Sequence, residues 1–123
     1  MSRLAIVLSF LAPSLAFGQD LQTNVTDITY ILEDEVPGLG IKVDISEWVA
    51  EDQLSKLAQE ICEGVAPEVL PQLAKRNDLA APTFIEVDAK VPRSFGIVSV
   101  NIGQVRRFSY NDDGTCAPLW VDD

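Results

Sequence analysis

The sequence predicts an α+β fold. It is a single small domain with an antiparallel sheet of about five strands and one main amphipathic helix packed on one face, in the order β-β-α-β-β-β. One disulfide is expected. Three observations predict this. Apolar and polar residues alternate in runs on either side of residues 51–65, the signature of half-buried strands. Between those runs the apolar residues recur every three or four positions, as on a helix with one buried face. Two cysteines complete the pattern, Cys62 in the helical stretch and Cys116 near the end.

The first segment is set apart from the fold. Arg3 is its only charge, an apolar stretch covers residues 4–15 with Pro13 near its end, and small residues follow at Ala16 and Gly18. This is the order of a secretory signal peptide. We expect residues 1–18 to be removed, the cut following Gly18 or Ala16, and residues 19–123 to form the domain. The apolar run is shorter than the roughly 20 residues that span a bilayer, so no membrane anchor is expected. A periplasmic or secreted location follows.

Ile28, Tyr30 and Leu32 alternate in a first strand over 26–33, and Leu39, Ile41, Val43 and Ile45 in a second. The segment Val36-Pro37-Gly38 between them reads as the turn, with proline presetting one torsion and glycine free to take the other. Leu54, Leu57, Ala58, Ile61, Cys62 and Val65 then form the helical stripe. Glu51 and Asp52 complement the dipole at its start, and Gly64 marks its end. Pro67 and Pro71 should break residues 68–75 into a short helix or turns. Ile85, Val87, Ala89 and Val91 make a third strand that Pro92 stops. Val98, Val100 and Ile102 make a fourth, and residues 105–110 a fifth candidate. Asn111-Asp112-Asp113-Gly114 is a hairpin turn, and the return strand from Cys116 ends at Trp120.

The chain has 9 Lys+Arg against 19 Asp+Glu, a formal charge of −10, and loss of Arg3 makes the mature chain more acidic still. Such a field repels nucleic acid and anionic lipid, so neither is an expected partner. An even cysteine count in an oxidising compartment predicts a bridge between Cys62 and Cys116, worth roughly 4 kcal/mol in the loop-closure account. No C-x-x-C spacing supports a redox role.

Catalytic chemistry finds little support. The chain has no histidine, so Ser-His-Asp and Cys-His systems cannot be built, and zinc loses its commonest ligand. No glycine-rich phosphate loop appears. We expect no cofactor, no metal and no catalysis. Paired acids are the remaining catalytic option: Glu33, Asp34 and Glu35 cluster, and Glu86 and Asp88 share a strand face. An EF-type calcium loop with Gly114 as its sixth residue would begin at Ser109 and end at Trp120, neither of which can act as the required acid. Arg93, Arg106 and Arg107 stand in or beside the last strands. Arg106 and Arg107 point to opposite faces, and pairing with the protein's own surplus carboxylates is the favoured role.

Phe95-Gly96, then Val105, Phe108 and Tyr110, then Gly114-x-Cys116 and Trp120, resemble a pattern in small exported bacterial proteins of uncharacterised function. There too a helix with one cysteine precedes the strands. The resemblance covers about half the chain and brings no catalytic residues; it implies a single-domain periplasmic protein with a Cys62–Cys116 bridge. The expected function is that of a non-catalytic accessory or protein-binding module, with Arg93, Phe95, Arg107, Phe108, Tyr110 and Trp120 as its contact surface. The alternatives are a small hydrolase using paired carboxylates, and a binder of a small anionic ligand in a concave site lined by Arg93 and Arg107.

Overall fold

The computed structural model describes residues 3–7, 23–76 and 78–119. The two alternating runs on the N-terminal side form strands β2 (Thr23–Glu33) and β3 (Val36–Ile45). The helical stripe becomes α1 (Glu51–Ala74), and β4 (Phe84–Phe95), β5 (Val98–Tyr110) and the short β6 (Cys116–Pro118) follow. Arg3–Val7, inside the expected leader, lies as strand β1 along the outer edge of β2. Residues 8–18 of the leader and its cut sites fall outside the described residues.

The strands lie in chain order, β1-β2-β3-β4-β5-β6. The expected α+β class, the single helix and the bridge are all present, but the sheet is mixed rather than wholly antiparallel, because β3 and β4 run parallel. The physical reason is the helix between them. A strand pair joined by a tight turn reverses direction, whereas a long crossover returns the chain to the starting end, so the next strand runs the same way.

One face of the sheet carries Ile28, Tyr30, Leu39, Ile41, Val43, Ile85, Val87 and Phe108 against the helix stripe Leu54, Leu57, Ala58, Ile61, Cys62, Val65, Ala66, Val69 and Leu73. The stripe extends past Gly64, and so does the helix. It runs unbroken through Pro67 and Pro71, against the expectation of a break. Both prolines are exposed, while Val65, Ala66, Val69 and Leu73 are buried around them. A proline inside a helix costs about 3 kcal/mol. Burying several aliphatic side chains at about 1.5–3 kcal/mol each offsets that.

Two turns differ from expectation. The β2–β3 connection is the pair Asp34 and Glu35, with φ of 50° and 68°, and Val36-Pro37-Gly38 already belongs to β3. Two left-handed residues match the twist of a two-residue hairpin, which outweighs the cost to a non-glycine pair. Gly38 serves a close approach instead: a Cβ there would stand 2.2 Å from the Phe84 ring. Pro92 does not stop β4. β3 pairs with β4 only as far as Lys90, and the missing N–H of Pro92 faces that vacated side, so no ladder bond is lost. The two expected strands after it are the single strand β5.

Cys62 and Cys116 are bridged with Cα atoms 6.3 Å apart. The same helix face clamps β6 on both sides of the bridge. Gln59 Nε2 donates to the Cys116 carbonyl at 2.9 Å, and the Cys116 N–H donates to Glu63 Oε2 at 3.0 Å. The expected Asn111–Gly114 turn leads into this strand; Gly114 has φ of 90°, and its N–H donates to the Asn111 carbonyl.

Candidate functional site

Strands β4 and β5 outrun the rest of the sheet. Past Lys90, among the described residues, they are paired only with each other, so residues 91–102 project as a two-stranded ribbon. Its tip is the two-residue loop Gly96 and Ile97. Gly96 takes φ of 61°, and Ile97 beside it is fully exposed. Phe95, Val98 and Val100 are exposed on the same ribbon, and the Arg93 guanidinium lies over the Phe95 ring at 5.0 Å. At its base, Trp48 (58% exposed) borders a recess of about 90 Å³ with Leu54, Val91, Arg93 and Ile102. No acid occurs between Asp88 and Asp112, whereas Lys90, Arg93, Arg106 and Arg107 do. An acidic protein thus presents one apolar, locally cationic projection.

The opposite end of these strands holds a charge network on the sheet face away from the helix. The register places Arg107 opposite Glu86, and Nε donates to Glu86 Oε1 at 3.2 Å while Nη2 also contacts Glu33. The guanidinium covers the Phe84 ring at 4.8 Å. Burial works against its charge, but the hydrogen bond it donates to Glu33, with the field of Glu86 and the bond donated to it, prevails and holds its pKa above the usual arginine value. Glu86 is only 5% exposed. Arg107 occupies the space between the two carboxylates where a substrate atom would sit, so the geometry is that of an ion-pair network rather than an acid and base flanking a substrate.

Around the outer edge of β5 lies a cleft of about 600 Å³. Ser55, Lys56 and Gln59 of α1 form one wall, Val105, Arg106 and Phe108 its floor, and Pro118 and Leu119 its end, with the Arg107 network beyond. Arg106 Nε donates to Ser55 Oγ at 3.2 Å and Nη1 to the Val105 carbonyl at 3.0 Å. Among the described residues neither Arg106 nor Lys56 meets a carboxylate.

The six residues expected to form one contact surface are therefore dispersed. Arg93 and Phe95 stand at the ribbon. Arg107 lies seven residues further along β5 than Arg93's partner Val100, some 23 Å at strand rise, and on the other face. The two arginines consequently do not line a common anion site. Phe108 is core at 2% exposure, and Tyr110 packs against that core. Trp120 lies outside the described residues. Among the described residues, self-pairing with carboxylates holds for Arg107 and not for Arg93 or Arg106. The sequence offered one unused signal for the ribbon: Phe95, Ile97 and Val98 flank a turn glycine, where polar residues are usual. No protein family, no curated protein and no solved structure matches the chain.

Proposed function

We propose that this chain is an exported, non-catalytic module that binds another protein through the β4–β5 ribbon. The observation that carries the proposal is the exposed set Phe95, Ile97, Val98 and Val100 on a projection without acids, in a protein of charge −10. Isolated exposed apolar residues are ordinary, but a contiguous apolar patch with a cation at its rim marks an interaction surface. The partner's complementary face is an apolar pocket ringed by carboxylates. Export through residues 1–18 supplies the oxidising compartment that the Cys62–Cys116 bridge requires. Removal of those residues takes β1 with it and leaves five strands, with β2 as the edge.

The test is a photo-crosslinking residue at Ile97 in the full chain, expressed in its own host, followed by mass spectrometry of the adduct. Expected is one dominant adduct, mapped to an apolar site among Asp and Glu, on a chain whose N-terminus is Gln19 or Phe17. The purified pair should then bind at least tenfold more weakly with Phe95→Ser/Ile97→Ser, about 1.4 kcal/mol or more. Unchanged affinity, or crosslinks only to a second copy of this chain, would overturn the proposal. An intact N-terminus would overturn the export step alone.

A further inference from the structure

The edge of β5 is longer than the strand that covers it. β6 spans three residues and pairs only with Phe108, Ser109 and Tyr110. The Leu119 N–H adds a bond to the Arg107 carbonyl, and the Asn111 N–H bonds the Thr115 carbonyl. In a strand, main-chain groups of alternate residues point to the same side. Residues 107, 109 and 111 therefore aim theirs outward, and by the same parity so do Asn101, Gly103 and Val105. Among the described residues no strand lies along that stretch. An exposed row of edge donors and acceptors is a template for another strand.

Two features make this edge selective. The first is its end. Pro118 and Leu119 close the row at Arg107, so an added strand must stop beside Arg106. At that stop the 600 Å³ cleft places Lys56 and Arg106, neither paired with a carboxylate among the described residues. The second is what Arg106 does meanwhile: its Nη1–H donates to the carbonyl of Val105, the acceptor that an added strand would use. The guanidinium thus occupies the edge acceptor when no strand is there, and can exchange it for an anion when one arrives.

We propose that the β5 edge accepts the carboxyl-terminal strand of a partner protein, added parallel to β5 along residues 101–105, with its terminal carboxylate between Lys56 and Arg106. Parallel addition is the orientation that brings a carboxyl end, rather than an amino end, to the closed cationic stop. Main-chain bonds supply affinity in this mode of recognition, and the charged stop supplies selectivity for a chain end. The exposed side chain of Val105, with Leu119 and Pro118, gives the last partner residues an apolar bed. This goes beyond the ribbon contact and uses different residues.

The test is an array of hexapeptides, degenerate in sequence, displayed with free carboxyl termini and in parallel as carboxyl-terminal amides, probed with the mature protein. Expected are binders among the free acids whose amides bind at least tenfold more weakly. For the best binder in solution, Lys56→Gln and Arg106→Gln should each weaken affinity about tenfold. Val105→Pro should abolish binding, since it removes an outward N–H and no bond to β4. Phe95→Ser/Ile97→Ser should leave peptide binding unchanged, which separates this edge from the ribbon. Circular dichroism melts establish that each variant is folded. An array without carboxylate-dependent binders would overturn the proposal, as would unchanged affinity in Val105→Pro. Two other occupants would also overturn it. A second copy would show as a wild-type dimer in sedimentation that Val105→Pro dissolves. The chain's own last residues would show as peptides that bind only when the chain is ended at Leu119 and not to the full-length domain.

Discussion

Replacing Cys62 and Cys116 together by alanine measures how far this domain depends on its bridge. The bridge joins residues 54 apart in sequence. Loop-closure entropy for that span is about 14 cal/mol/K, or about 4 kcal/mol at room temperature. A small domain has about 5–15 kcal/mol in all, so the loss is a large fraction of the whole. Alanine is the right replacement because both cysteines are buried, and serine would add a buried hydroxyl to the effect. With a urea slope of about 2 kcal/mol/M, the unfolding midpoint should fall by about 2 M. The slope itself should rise, since the unbridged chain exposes more surface when it unfolds. The fold should survive, because Gln59 and Glu63 still hold the Cys116 position of β6 from both sides. Urea unfolding of the wild-type protein with and without reductant is the companion measurement, and serves alone if the variant fails to accumulate. A midpoint shift below about 0.5 M in both would refute the reasoning, since the unfolded chain would then gain no freedom when the bridge opens.

Two further outcomes test the charge network and the last turn. Arg107→Leu takes away the guanidinium that Glu33 and Glu86 share, and should destabilise the domain by about 2–3 kcal/mol in chemical denaturation. Arg107→Lys, which keeps the charge but loses the fork and the flat contact with Phe84, should recover part of that; equal losses for the two would show that charge plays no part. Asp113 accepts from the Thr115 hydroxyl at 2.6 Å and from its N–H at 3.0 Å, and these bonds hold its carboxyl below the usual aspartate range. A depressed carboxyl contributes stability that is present above its unfolded pKa and is lost as pH falls through the folded value. The Thr115 amide resonance should therefore titrate below the ordinary aspartate range, and a midpoint equal to that of Asp113 in a Thr115→Ala variant would refute the bond.

The sequence made local order legible and left long-range order dark, for reasons that particular residues show. The run from Leu39 to Ile45 reads correctly because its period of two follows from the pleat alone. The helix stripe reads correctly, but its length does not, because the packing of Val69 and Leu73 that carries it past Pro67 is a tertiary effect. Gly38 reads as a turn residue because glycine is permissive, yet its role is set by Phe84, which is distant in the chain. Arg107, Glu33 and Glu86 come together only through the order of strands β2 to β5. No spacing within one segment could announce that. The cleft depends on the same order, which sets β6 (Cys116–Pro118) and α1 around the edge of β5.

The charge pattern explains how an apolar ribbon and an open edge can persist side by side in one small protein. Either feature alone invites self-association, and proteins usually blunt such edges. Here the blunting is done at a distance. At an ionic strength near 0.1 M, fields reach about 10 Å, so copies with a formal charge of −10 repel before their ribbons meet. The stretch from Lys90 to Arg107 contains no acid and four cations, so the repulsion is weakest where those surfaces lie. A partner of the proposed kind, carrying local negative charge, would meet attraction there, where a second copy approaching as a whole would meet repulsion. On the proposed β5-edge reading, the acidity that looks like simple solubility in the composition would therefore also act as a filter, favouring an acidic or carboxylate-bearing strand over another copy of the chain.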